Sequence, residues 1–251
     1  MRPTHLYIVT GASRGLGRAL AQQLLAPDHT LLCLSRQPAP ELASQAKAAG
    51  CALTQWAVDL GEPAPVAARL QAWLAPQAGR CASVTLINNA ALMPEIAPLS
   101  QLGSDTLAQA LRVGLEAPLL LSAAFLAATE DWAVPKRVLQ ISSGLGRHPM
   151  AAQAAYCAVK AGLDHAARCL ALEEARKPHG ARVCALAPGV VDTDMQVQLR
   201  NAPPHAFPDR QRFIDLQAHA RLSSPAEAAA QVLACLARPD FGQQPVADVR
   251  D

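Results

Sequence analysis

Short apolar runs rich in β-branched residues, at 6–9, 30–34, 84–87, 138–141 and 183–186, are separated by longer stretches whose apolar positions recur at helical spacing. This alternation of strand and helix is the strongest constraint on the fold. Consecutive strands joined through helices run parallel, and right-handed crossovers place helices on both faces of the sheet they build. The expectation is a doubly wound α/β fold. With 251 residues and no internal repeat or low-complexity linker, the chain suits one large domain of this kind as well as two small ones. Apolar residues make up 51% but aromatics only 4%, with alanine supplying much of the balance. That composition favours closely packed helices over a β-sandwich.

Twenty-two Lys and Arg against twenty Asp and Glu give a formal charge of +2 with no basic block, so neither nucleic acid nor an anionic membrane surface is expected as a partner. The longest apolar stretch, 117–128, is broken by Pro118 and Ser122 and falls short of the roughly 20 residues a bilayer-spanning helix needs. No membrane span is expected. The first five residues run directly into the first strand, which leaves no room for a secretory leader and implies a cytoplasmic protein. Seven cysteines, odd in number and never spaced as CxxC, argue against disulfides and against zinc, and are expected to be small buried residues with no metal site among them.

Thr10-Gly11-Ala12-Ser13-Arg14-Gly15-Leu16-Gly17 follows the first strand and opens a helix over 18–25. Glycines there let the backbone turn sharply and approach a pyrophosphate, whose charge then lies at the N–H-rich end of the helix. Further along, Tyr156-Cys157-Ala158-Val159-Lys160 places a phenol and an ammonium at i and i+4, about 40° apart on a helix and so on one face. A neighbouring cation stabilises a phenolate, so this spacing predicts a tyrosine with a lowered pKa, tuned as a proton donor. Ser224-Pro225-Ala226-Glu227 has the form of a capping box and predicts a helix through 228–236. Between them, 196–222 holds three prolines and two phenylalanines after the last core strand but one, and is expected to be an inserted flap.

The spacing Thr-Gly-x-x-x-Gly-x-Gly, the Tyr-x-x-x-Lys pair and a serine thirteen residues before the tyrosine resemble the short-chain dehydrogenase/reductase family along nearly the whole chain. The resemblance implies one Rossmann-type domain over 1–251 with a seven-stranded parallel sheet, and a catalytic set of Ser143, Tyr156 and Lys160. Ser143 would hold a substrate carbonyl oxygen, Tyr156 would donate the proton, and Lys160 would support Tyr156 and grip the nicotinamide ribose; Ser142 is the alternative serine. Gly11, Ser13, Arg14, Gly15, Leu16 and Gly17 would cradle the dinucleotide. Asp59 and Leu60 would face the adenine, Asn89 and Ala90 would pack beside the cofactor, and Pro188, Gly189, Val191, Thr193 and Met195 would line the nicotinamide. Where NAD-specific members carry an acid after the second strand, this chain has Ser35-Arg36. Arg36, joined by Arg14, offers charge-assisted bonds to a 2′-phosphate, so the expected cofactor is NADP(H).

Two departures from the family pattern stand out. Ala91 replaces the last glycine of Asn-Asn-Ala-Gly, and Gly114, in Val113-Gly114-Leu115, stands where many members have an asparagine on the lysine's proton relay. The expectation at Gly114 is space for an extra water. Pro188-Gly189-Val190-Val191-Asp192-Thr193-Asp194-Met195-Gln196 narrows the resemblance to the sepiapterin reductase branch and its bacterial benzil reductase relatives. Leu145, His148, Met150, Met195, Leu199, Phe207 and Phe213 would then form an apolar pocket wall, with Asp248 placed to hold a pterin's guanidine-like edge. The expected activity is NADPH-dependent reduction of a ketone, most specifically a 1,2-dicarbonyl. The alternative is a catalytically weak NADP-binding sensor or scaffold, supported only by the glycine at 114. The helices 117–128 and 156–172 are apolar enough to pair with copies of themselves, and the resemblance implies a homodimer or tetramer.

Overall fold

In the computed structural model, which describes residues 4–251, seven parallel strands form a single sheet in the order β3-β2-β1-β4-β5-β6-β7. They are β1 (Thr4–Thr10), β2 (His29–Ser35), β3 (Ala52–Ala57), β4 (Cys81–Asn88), β5 (Lys136–Ile141), β6 (Arg182–Ala187) and β7 (Val246–Asp248). The alternation that defines a strand sorts the core into two layers. On β1, Leu6 and Ile8 join Leu70, Leu121 and Phe125 on one face, while Val9 joins Leu20, Leu24 and Val232 on the other. The first layer is closed by α3 (Pro63–Leu74), α5 (Ala117–Ala128) and α6 (Ala154–Glu174), the second by α1 (Gly15–Gln23), α2 (Pro40–Ala49) and α9 (Pro225–Ala237).

The strand order reverses between β1 and β4, and there the loops at the carboxyl ends part to leave a crevice. α9 begins with the expected capping box, Ser224 accepting from the Glu227 amide at 3.2 Å and the Glu227 carboxylate accepting from the Ser224 amide at 2.8 Å. A cap of this kind stabilises a helix by about 1 kcal/mol.

Two features differ from the sequence expectation, and a third fills it in. The segment after β6, expected as an inserted flap, is built of two helices, α7 (Asp194–Asn201) and α8 (Arg210–Ala218), which share a small core of Leu199, Phe207 and Phe213 with Ile96. The apolar stretch 117–128 continues backwards through a π-helical turn, Arg112–Glu116, into α4 (Ser104–Leu111). The resulting rod of 25 residues, whose most apolar 18-residue stretch has mean hydropathy 1.6, is long and apolar enough to cross a bilayer. Its Ala117, Leu121 and Phe125 are instead wholly buried against the sheet and α3. Four of the seven cysteines are buried as expected, but Cys169 is exposed on α6 and Cys157 and Cys235 are half-buried. Residues 1–3, among the first five that carry the expectation of no leader, lie outside the described residues.

Candidate active site

The crevice is a cavity of about 1150 Å³ that receives the ends of β1, β2, β4, β5 and β6 together with residues of α7 and α8. At one end is the glycine turn. Gly11 and Gly15 adopt φ of +68° and +53°, a region that disfavours side chains. At Gly17 a Cβ would collide with the Gly11 carbonyl oxygen and the Asn89 side-chain amide, so only glycine lets helix and turn close up. Thr10 ties this turn to β4, its hydroxyl accepting from the Asn89 and Ala90 amides at 2.9 Å each. Asn89 donates back to the Thr10 carbonyl at 2.9 Å. Arg14, the residue before α1, makes no side-chain cap. The amides of that first turn therefore stay open to an anion in the cavity. These residues fit a dinucleotide. Ala91 has no positive φ, so the methyl that replaces the family glycine meets no backbone conflict.

Ser35 ends β2 with its hydroxyl donated to the Gln37 carbonyl at 2.7 Å, which leaves Arg36 on the cavity lining with no ion pair among the described residues. Arg14 is differently placed. Its guanidinium reaches across the cavity mouth to Asp194 of α7 at 3.0 Å, both side chains being exposed. Asp59 lines the same end, and its carboxylate accepts from the Gly61 amide at 2.8 Å, with Leu60 buried beside it.

The three expected reacting groups meet at the middle of the cavity. Ser143 follows the end of β5 in extended backbone, its hydroxyl accepting from the Leu145 amide at 3.2 Å. Its hydroxyl also acts on the neighbouring Tyr156 phenol. Tyr156 and Lys160 sit one turn apart near the start of α6, only 6% and 2% exposed, and both line the cavity. The Lys160 ammonium donates to the Ile141 carbonyl at 2.7 Å and lies 5.6 Å from the centre of the Tyr156 ring. Here the expected sign is corrected. Burial pushes the Tyr156 phenol up to about 12, opposed by the Ser143 hydroxyl. Burial also lowers Lys160 to about 8, against the pull of the Asp164 charge. Loss of water outweighs the cation that the i, i+4 spacing supplies, because the ammonium is turned to a backbone carbonyl and not to the phenol. Ser142, the alternative serine, is buried and donates to Asp164.

No space for a water opens at Gly114. A Cβ there would lie 2.6 Å from Cγ1 of Val159, whose side chain fills the position from α6. The substitution Gly114→Asn is therefore expected to destabilise the fold by about 1–3 kcal/mol through overpacking, visible as a lower Tm. The pair Gly114→Asn with Val159→Ala should regain most of that loss. A single variant that melts like wild type would show that the π-helical turn gives way instead.

Beyond Tyr156 the wall is largely apolar. Leu145, Met150, Met195, Leu199 and Phe213 line it as expected, while His148 is an exposed lining residue. Phe207 is not on the wall; it is 1% exposed behind Phe213, stacked on it at 5.6 Å between ring centres. Pro188, Gly189 (φ +77°), Val191 and Thr193, expected to line the nicotinamide, follow β6 along the cavity. Thr193 donates to the Val191 carbonyl at 3.4 Å. Asp248 reaches the lining from the end of β7, but its carboxylate is engaged by a fork from Arg250 at 2.7 and 2.6 Å, with Arg147 at 3.6 Å. The Arg250 hydrogen bonds hold this acid below the usual carboxylate range. Met93 and Gln109, which belong to no motif, also line the cavity, as do Arg212 and Leu216 of the segment 211–216, which resembles the sepiapterin reductase branch. Gln196, buried with its carbonyl oxygen unpartnered, lies among them.

A family model described as short chain dehydrogenase matches residues 5–204. The chain is 34% identical over 237 residues to a benzil reductase ((S)-benzoin forming) of Bacillus cereus, covering 94% of this chain and 95% of that one. It is 34% identical over 226 residues to a sepiapterin reductase of Xenopus tropicalis, covering 83% and 82%. Among solved structures, a metagenomic short-chain oxidoreductase in complex with NADP superposes with a TM-score of 0.74 at 26% identity, covering 98% and 95%.

Proposed function

Because the chain belongs to the short-chain dehydrogenase/reductase family, we propose that it is an NADPH-dependent carbonyl reductase whose substrate is a ketone, and more narrowly a 1,2-dicarbonyl. One observation carries the proposal. Ser143, Tyr156 and Lys160 converge on a single cavity whose far end is the glycine turn and whose near wall is largely apolar. When bound, the nicotinamide supplies the hydride to the carbonyl carbon. The protein's own residues do the remainder: Ser143 donates to the carbonyl oxygen and orients it, and Tyr156 delivers the proton that completes the alcohol. Tyr156 holds that proton through neutral pH, and the Lys160 ammonium supplies positive charge at the moment the phenolate forms.

Support for a 1,2-dicarbonyl comes from the likeness to benzil reductases and from the methionine-lined wall, which suits aryl groups. The fork between Arg250 and Asp248 favours a neutral diketone over a guanidine-like pterin edge, since the acid is already occupied. The rival reading of a non-catalytic sensor rested on Gly114, and Val159 gives that glycine a packing reason. Exposed Leu119 on α5 and Leu172 on α6 support pairing of two copies through these helices. A panel following NADPH oxidation tests the proposal. Turnover of benzil, isatin or sepiapterin is expected; activity confined to steroids, sugars or acyl thioesters would refute the dicarbonyl assignment.

The pH dependence follows from Lys160. The ammonium is present below about 8 and lost above it, so kcat/KM for reduction should be flat near neutrality and fall about tenfold per pH unit on the alkaline side. A limb that begins only near 12, where burial holds Tyr156, would show that Lys160 takes no part.

A further inference from the structure

One ionisable side chain beside the site has no part in the steps above. Asp164 lies on α6 one turn beyond Lys160 and is 2% exposed. One of its carboxyl oxygens accepts from the Ser142 hydroxyl, while the other is buried with no hydrogen-bond partner. A Cβ on Gly146 would come within 2.7 Å of that second oxygen and 3.0 Å of the Lys160 carbonyl, so the turn Gly144–Gly146 rests directly on this part of α6.

We propose that Asp164 is a positioning residue for the reduction: through Ser142 it pins the segment carrying Ser143 onto α6, and it lies one turn along that helix from Lys160. The proposal rests on the assignment of Ser143, Tyr156 and Lys160 as the reacting groups. Successive side chains in extended backbone point to opposite sides, so fixing Ser142 inward toward Asp164 fixes Ser143 outward toward the cavity. The backbone of the same residue is held independently, the Ser142 amide donating to the Leu186 carbonyl of β6 at 2.9 Å. The Ser142–Asp164 bond thus adds a second tether from this segment to the helix bearing Tyr156, beside the one from the Lys160 ammonium to the Ile141 carbonyl.

The charged and titratable groups around Lys160 are few. α6 contributes Tyr156 and Asp164, and β5 contributes the Ile141 carbonyl followed by the Ser142 hydroxyl. Cys184 on β6 lies within electrostatic reach of both Asp164 and Arg147. Asp164 is the negative charge that opposes the effect of burial on Lys160.

Two near-isosteric variants separate the two roles. Asp164→Asn keeps an acceptor for Ser142 but removes the charge; kcat at neutral pH should stay within about threefold, with the alkaline limb of kcat/KM displaced downward by about one pH unit. Ser142→Ala keeps the charge but removes the tether; kcat should fall about tenfold with the limb unmoved. A titration of the lysine Cε resonances should show the same downward displacement of Lys160 in Asp164→Asn, independent of any substrate. An unshifted Lys160 in Asp164→Asn overturns the electrostatic role, and full kcat in Ser142→Ala overturns the tether. Should Tyr156→Phe keep its activity, the assignment of the reacting groups fails; should it lose activity while both variants here match wild type, only the role of Asp164 falls.

Discussion

Replacing Tyr156 by phenylalanine is expected to lower kcat for carbonyl reduction by about a thousandfold, within the range a positioned general acid contributes, and to leave the Kd for NADPH within about twofold. The two effects separate because of where the hydroxyl sits. The ring, 6% exposed, is held by its place on α6, and phenylalanine fills the same volume. What disappears is the proton that Tyr156 retains through neutral pH. A thousandfold loss corresponds to about 4 kcal/mol of transition-state stabilisation, more than one ordinary hydrogen bond supplies. Single-turnover kinetics and a fluorescence titration with NADPH make the comparison. A variant within tenfold of wild type would mean that water or another group donates the proton.

The residues that carry these predictions were legible in the sequence to different degrees, for physical reasons that differ. The glycine turn and the Tyr156–Lys160 pair are local: backbone freedom at three positions and helical periodicity decide them, and both stand where the pattern put them. Contacts made by the fold are another matter. Gly114 faces Val159 across two helices, and nothing near Gly114 in the chain announces that its missing side chain is supplied from α6. Arg14 and Asp194 meet only because α7 folds over the cavity mouth. Asp248 was visible as an acid near the chain end, but the guanidinium two residues later decides whether it is free. The pKa of Tyr156 failed in sign for the same reason, since spacing reports the neighbour and not the depth of burial that outweighs it. The flap proved helical because its prolines fall between α7 and α8, where they end one helix and precede the next.

Arg36→Asp should reverse the cofactor preference, lowering the ratio of kcat/KM for NADPH to that for NADH by at least about a hundredfold. Charge-assisted hydrogen bonds are each worth about 1.5–3 kcal/mol, so loss of a bidentate pair alone accounts for that factor, and an aspartate adds repulsion of a 2′-phosphate. The structure makes Arg36 the better placed of the two arginines. It lines the cavity directly after β2 with no carboxylate partner among the described residues, whereas Arg14 is paired with Asp194 at 3.0 Å. That pair is exposed and worth only a few tenths of a kcal/mol, so Arg14 can still turn toward a phosphate when one arrives. The contrast between variants is therefore informative: Arg14→Ala should cost tenfold or less in the same ratio, Arg36→Asp far more. If Arg36→Asp left the ratio unchanged while Arg14→Ala collapsed it, the phosphate would be read from the glycine turn and not from the end of β2. The fold should tolerate both changes, because each side chain lies at the solvent edge of the cavity and neither belongs to a core layer.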